Sequence, residues 1–144
     1  MAAGEPRIRD LPIHYGYSIA SPDMLLTEVA MHFRHAPDDA LLIHDRECDD
    51  FLGVVYLVDF HRAYGIDGLK SPQNKTITEI MNSDLAWLDW NSNVTQAIAK
   101  ARLQTPHGIL VRDERGRFAG FLSTTDLNVE RERMDRLAAQ HRRA

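Results

Sequence analysis

Gly120–Leu127 reads GFLSTTDL, and Gly53–Phe60, earlier in the same chain, reads GVVYLVDF. In both stretches apolar residues follow a glycine, and an aspartate stands six positions after that glycine. The apolar part suits the end of a buried strand, and the aspartate lies where a helix would begin. Because this pattern occurs twice in 144 residues, the sequence predicts an internal repeat.

The repeat continues upstream of both stretches. Leu41–Asp45 and Ile109–Asp113 are matching apolar runs that end in aspartate, and they lie 68 positions apart. The two glycines lie only 67 positions apart, so the first copy has one extra residue in the intervening turn. Turns tolerate such changes. Further upstream, the copies begin alike at Ile8 and at Ile77.

Each copy is predicted to run helix, strand, helix, strand, strand, helix. The continuous apolar runs suit strands that are buried on both faces. Asp113–Arg117, with Gly116 free to take a positive φ, is typical of a hairpin turn. Ser21–Asp23 is predicted to cap a helix whose apolar residues, from Leu26 to Phe33, follow helical spacing.

Breaker residues between the copies indicate the domain organisation. We expect a first repeat at 8–66, a linker at 67–75, a second repeat at 76–128 and a charged C-terminal helix or tail at 129–144. The last helix is expected from about Thr125 to His141.

Composition excludes several classes of protein. The hydrophobic fraction of 44% and the charged fraction of 26% are those of a folded globular chain. A net charge of −4 disfavours general nucleic-acid binding. No apolar run approaches the roughly 20 residues of a membrane span, and no signal core is visible. Cys48 is the single cysteine, so no internal disulfide is possible and a reducing cytoplasm is expected.

Each copy resembles a cystathionine-β-synthase-type (CBS) repeat, in which a strand ends in Gly-apolar-x-Ser/Thr-x-x-Asp and a helix follows. The second copy matches fully, whereas the first has Tyr56 where serine or threonine is expected. The chain is therefore similar to a tandem CBS pair, or Bateman module. The resemblance implies an α/β (α+β) fold of two pseudo-symmetric repeats, each a small mixed three-stranded sheet flanked by helices.

The resemblance also implies an adenosine-ligand site in the cleft between the repeats. In that site Asp126 would accept hydrogen bonds from ribose hydroxyls, and Ser123 and Thr124 would bind phosphate, as the positive end of a helix favours. The expected adenine contacts are Leu85, Ala86, Trp87, Gly108 and Ile109. A second interpretation stays open, because Ser123 and Asp126 also fit a helix capping box that needs no ligand.

The matching site of the first copy is expected to be altered or empty, because the ring of Tyr56 would lie where phosphate should bind. Asp59 is then better explained as a helix cap. Four nearby basic residues would either reach a phosphate or simply be solvated: His61, Arg62, Lys70 and Lys75.

Metal and catalytic sites are not expected, and no cofactor is required. His32 and His35 lie three apart on one predicted helix, but no other ligand motif accompanies them, which favours a surface pair. Asp49 and Asp50 would disfavour a thiolate at the neighbouring Cys48.

The sequence thus predicts a regulatory module, not an enzyme, that senses AMP, ADP, ATP or S-adenosylmethionine and signals through an unidentified partner protein or through assembly. A ligand-free dimerisation or interaction module is the alternative. The apolar stripe of the last helix favours a homodimer, with no role for nucleic acid or membrane. That stripe consists of Leu127, Met134, Leu137 and Ala138.

Overall fold

The computed structural model describes residues 5–65, 73–104 and 108–143, which form two compact units. One unit runs from Tyr15 to Leu85. The other combines the segment that ends at His14 with the chain from Ala86 onward. Most of the predicted linker, 67–75, lies outside the described residues.

The two units share the order strand, helix, strand, strand, helix, and a 3-10 helix follows these elements in one unit and precedes them in the other. The Tyr15–Leu85 unit contains β1 (Tyr17–Ala20), α1 (Leu26–His35), β2 (Ala40–Asp45), β3 (Asp50–Tyr56), α2 (Leu57–Tyr64) and a 3-10 helix at Ile77–Glu79. The other unit contains a 3-10 helix at Ile8–Asp10, β4 (Trp87–Asp89), α3 (Val94–Gln104), β5 (Gly108–Arg112), β6 (Phe118–Ser123) and α4 (Thr124–Arg143).

Each unit is built on a mixed three-stranded sheet. β1 is parallel and β3 antiparallel to β2, and β4 and β6 have the same relation to β5. The predicted fold class is therefore confirmed. The hairpin prediction also holds, since Gly116 has a φ of 78° and Asp113 donates its N–H to the carbonyl of Arg117.

The predicted cap of α1 is wrong. The Ser21 hydroxyl donates to Asp23 within a turn, and the helix begins only at Leu26. The carboxylate of Glu28 accepts the N–H of Leu25 instead, at 3.1 Å. A backbone bridge between Leu25 and Thr76 holds this segment apart from the preceding turn, which moves the helix start beyond the predicted cap.

The compact units do not coincide with the predicted repeats, because each repeat gives its first segment to the other unit. The carbonyl of Ile13 accepts the N–H of Phe121 in β6, and Asn82 exchanges two backbone hydrogen bonds with Val54 in β3. The reason is that β3 and β6 are the outer strands of their sheets, and these segments satisfy some of their backbone groups.

The exchanged segments also complete the two cores. Ile77 is fully buried among the core residues of the Tyr15–Leu85 unit. Ile8, Leu11 and Ile13 are buried in the core of the other unit.

The last helix is continuous across the predicted boundary at 128/129, so the charged tail is the second half of α4 rather than a separate element. Among the described helices, none combines the length and the apolar character that crossing a bilayer requires.

Candidate functional site

The predicted site residues of the second repeat gather where β6 passes into α4. Gly108 lies directly opposite Ser123 in the antiparallel register of β5 and β6. The carbonyl of Ala86, just before β4, accepts the N–H of Leu110 at 2.8 Å. The sheet topology therefore brings Ala86, Gly108 and Ser123 to one end of this sheet.

Ser123 has the capping role that the sequence left open. Its Oγ accepts the N–H of Asp126 at 3.1 Å, which satisfies one of the free amides in the first turn of α4. A serine hydroxyl that accepts a hydrogen bond still has its own hydrogen to donate. Capping and contact with a ligand oxygen are thus compatible at Ser123.

Asp126 presents an available carboxylate beside this cap. The residue is half-buried on the first turn of α4. Its carboxylate has no hydrogen bond or ion pair with any described residue, and only its backbone N–H is bonded. A carboxylate in this state can accept hydrogen bonds from two adjacent hydroxyl groups.

Thr124 is placed differently from its neighbours. It lines a pocket between α3 and α4, and neither Ser123 nor Asp126 is among the described residues that line this pocket. The phosphate-binding role expected of Thr124 stays a prediction.

The residues predicted to contact adenine differ in their burial and in the compact unit to which they belong. Ile109 is 1% exposed, so almost none of its surface reaches solvent. A Cβ on Gly108 would lie 2.1 Å from the Phe121 ring, so this glycine makes room for the side chain of Phe121. Leu85 belongs to the other compact unit.

Trp87 already has ring partners within its own sheet. The guanidinium carbon of Arg112 lies 5.0 Å from its ring centroid, and Phe118 contacts it edge-on at 6.4 Å. Sequence reasoning missed Arg112. The contact depends on the strand register. Asp89 and Arg112 are partners on the parallel strands β4 and β5, which places Arg112 diagonal to Trp87.

Tyr56 forms part of the wall of a small pocket in the first repeat. The residue is 6% exposed, and the pocket volume is about 120 Å³. Asp59 also lines this pocket and lies 4.0 Å from the guanidinium of Arg62. The other described lining residues are Val54, Val55, Phe60, Ala63, Tyr64, Ile80 and Asn82. No lysine or arginine is among the described lining residues.

The remaining basic candidates of the first repeat are mostly at the surface. Arg62 and Lys75 are exposed, whereas His61 is partly buried, and Lys70 lies outside the described residues.

His32 and His35 do not act as a pair. His32 lies 2.7 Å from a carboxylate oxygen of the buried Asp38, and the Ser18 hydroxyl donates to the same oxygen at 2.5 Å. The Ser18 hydroxyl is therefore hydrogen-bonded to the carboxylate and not to the imidazole, so the serine–histidine pair of a nucleophilic site is not formed. In the described part of the chain, no three metal-ligating side chains come together.

The Cys48 thiol is disfavoured as a nucleophile. Local desolvation, a hydrogen bond to Asp45 and the charges of Asp45 and Asp50 all raise the pKa of the thiol above its ordinary value. The sequence pointed to Asp49 as well as Asp50, but Asp49 lies 3.0 Å from His44 instead.

Comparison with solved structures supports the fold. A CBS-domain containing protein from Agrobacterium tumefaciens aligns with a TM-score of 0.70 and 20% identity, over 91% of this chain and 97% of that chain. A hemolysin-like protein containing a CBS domain, from Oenococcus oeni, aligns with a TM-score of 0.70 and 17% identity, over 88% and 90%.

A third similar structure is the CBS domain of a bacterial CNNM/CorC family Mg²⁺ transporter in complex with ATP. Its TM-score is 0.63 at 19% identity, and the alignment covers 88% of this chain and 82% of that chain. No protein-family model and no curated protein matches the sequence. At these identities the likeness shows the fold alone.

Proposed function

We propose that this chain, which has the fold of a tandem CBS module, is a regulatory module that binds an adenine nucleotide beside Ser123 and Asp126. The nucleotide would shift the module between packing states and so signal through a partner protein or through assembly. The observation that carries the proposal is the Asp126 carboxylate, which is half-buried next to a helix start and has no partner among the described residues.

The contacts divide between the two side chains. Asp126 accepts hydrogen bonds from the ribose hydroxyls, and Ser123 donates its hydroxyl hydrogen to a phosphate oxygen while it continues to cap α4. Ala86, Gly108 and Ile109 lie at the same end of the sheet as Ser123, and the adenine ring would lie beside them. The ATP complex of the CNNM/CorC transporter domain gives a precedent for a nucleotide on this fold.

No catalytic role is part of the proposal. A nucleotide sensor needs no activated nucleophile, and neither Ser18 nor Cys48 has the environment of one. A cytoplasmic location suits the module, because adenine nucleotides are abundant there.

The test is isothermal titration calorimetry of AMP, ATP and S-adenosylmethionine against wild type, Asp126→Ala and Asp59→Ala. Asp59 is the matched control, since it holds the same motif position in the first repeat. We expect Asp126→Ala to weaken nucleotide binding about 10- to 100-fold, through loss of a charged acceptor, and Asp59→Ala to leave it unchanged.

Other outcomes reassign the site or end the proposal. Loss of binding in Asp59→Ala alone would move the site to the first repeat. If no ligand binds wild type at millimolar concentration, the sensor proposal fails.

In that case a ligand-free interaction module takes its place. The observation that favours this second function is on α4, where Val129 and Leu137 are 58% and 42% exposed and lie about two turns apart on one side of the helix. Sedimentation equilibrium of wild type and Leu137→Glu tests it, because a homodimer that uses this side should dissociate in the variant.

A further inference from the structure

A pocket between α3 and α4 combines an apolar floor with two arginines whose side chains have no partner among the described residues. Its described lining residues are Ile98, Ala101, Arg102, Thr124, Leu127, Asn128 and Arg131. The volume is about 260 Å³, just below the roughly 300–1,000 Å³ of pockets for drug-sized ligands. The size therefore suits a small organic molecule.

The two arginines come from different helices to the same pocket. Arg102 lies near the end of α3, and Arg131 lies on the second turn of α4. Neither has an ion pair or a hydrogen bond with any described residue. On the same helix Arg133 is paired with the carboxylate of Glu130, whereas no described carboxylate pairs with Arg131.

The floor of the pocket is apolar. Leu127 is 2% exposed, and Ile98 and Ala101 are partly buried beside it. Apolar surface at the floor favours a hydrocarbon group, and guanidinium groups bind carboxylate, sulfonate or phosphate oxygens through paired N–H donors.

We propose that the α3–α4 pocket binds a small amphipathic anion, meaning an apolar body that carries one carboxylate, sulfonate or phosphate group. The apolar body lies on Leu127, Ile98 and Ala101, and the anionic group lies between Arg102 and Arg131. This site does not depend on the proposed nucleotide role, because Asp126 and Ser123 are not among its described lining residues.

Octanoate is a suitable probe, with 1-octanol and acetate as matched controls for its charge and its apolar tail. Titration of the isotopically labelled protein is followed by two-dimensional amide NMR, below the concentration at which octanoate forms micelles. We expect octanoate to shift the amide signals of Ala101, Leu127 and Asn128. Octanol, which lacks the charge, and acetate, which lacks the tail, should each require much higher concentrations.

Substitution of the arginines tests the anion contact. Arg102→Gln and Arg131→Gln should each weaken octanoate binding about five- to tenfold, as expected for loss of a charge-assisted hydrogen bond at a partly exposed site. Arg136→Gln is the control, because it removes the same charge from an exposed position of α4 outside the pocket. AMP titrated into the same variants separates this site from the nucleotide site.

Three results would overturn the proposal. One is equal binding of octanoate and octanol, and another is unchanged octanoate binding in both pocket variants. The third is the absence of any octanoate-induced shift at these amides. If sedimentation then also shows a dimer that dissociates in Arg131→Gln, a second copy of the chain is the occupant of the groove.

Discussion

Gly120 allows the Ile13 segment to pack against β6, because glycine has no side chain. A Cβ built there would lie 2.3 Å from the carbonyl oxygen of Ile13 and 2.9 Å from its side chain. The equivalent position in the other unit is Gly53, where a Cβ would lie 2.6 Å from the sulfur of Met81 and 2.9 Å from the carbonyl oxygen of Asn82. The glycine of the repeated motif is therefore a packing requirement in both copies.

We expect Gly120→Ala to lower the free energy of unfolding by about 1–3 kcal/mol, since the chain of β6 or of the Ile13 segment must shift. Gly53→Ala should cost less, because the sulfur end of a methionine moves more easily than a backbone carbonyl. Urea denaturation of the two variants checks this order. Equal losses would show that the backbone contact at Gly120 is not the cause.

At the scale of the element, the N-terminus of α3 is capped both by neighbouring residues and by a residue far away in the sequence. Asn93 and Gln96 exchange side-chain and backbone hydrogen bonds at 2.9 Å, which is a capping box within four residues. The next free donor, the N–H of Thr95, is bound at 2.9 Å by the carboxylate of Glu5, 90 positions away. The hydroxyl of Thr95 donates to the same carboxylate.

These hydrogen bonds lower the pKa of Glu5 below its ordinary value of 4.5, and the side-chain bond contributes most. A lowered folded-state pKa stabilises the protein above the unfolded pKa, and this contribution disappears as the pH falls through the folded value. Glu5→Gln should therefore destabilise the protein at pH 7 by about 0.5 kcal/mol, a modest effect because the site is exposed.

At a pH below both values the difference should vanish, because the wild-type carboxyl is then neutral as well. Urea denaturation of wild type and Glu5→Gln over a series of pH values from 7 downward measures it. A difference that does not shrink as the pH falls would mean that packing of Glu5, and not its charge, stabilises α3.

At the scale of the whole molecule, each compact unit depends on a segment that begins the other repeat. Ile8 and Ile77 are both fully buried, each with 0% solvent accessibility. Ile8 lies in the core built around β4–β6, and Ile77 lies in the core built around β1–β3. Replacing either with alanine should cost about 2–5 kcal/mol, through lost burial and an unfilled cavity.

We also expect each substitution to destabilise one compact unit before the other. Ile8→Ala should increase hydrogen exchange in 86–143 before it affects 15–65, and Ile77→Ala should do the reverse. Hydrogen-exchange mass spectrometry of the two variants makes the comparison. If Ile8→Ala instead loosened 15–65 first, the first segment would belong to its own repeat and the exchange of segments would be refuted.

Much of this could be predicted because it is encoded over short distances. The two copies of the Gly-to-Asp pattern, the apolar strands and the turn at Gly116 each depend on a few neighbouring residues, whose backbone preferences and spacing act locally. The same local logic failed at Ser21, because the bridge between Leu25 and Thr76 overrides its capping preference.

The sequence by itself determined the repeat, the order of its elements and the position of Ser123 and Asp126 at a helix start, and the resemblance to a known family added the mixed sheets. Only the tertiary structure decided that Ile8 and Ile77 complete each other's cores, that Phe121 fills the space above Gly108 and that Arg102 and Arg131 share one pocket. The physical reason is the sequence distance over which each interaction acts. Periodicity and capping act within a few residues, whereas these contacts join distant parts of the chain and depend on how whole elements pack.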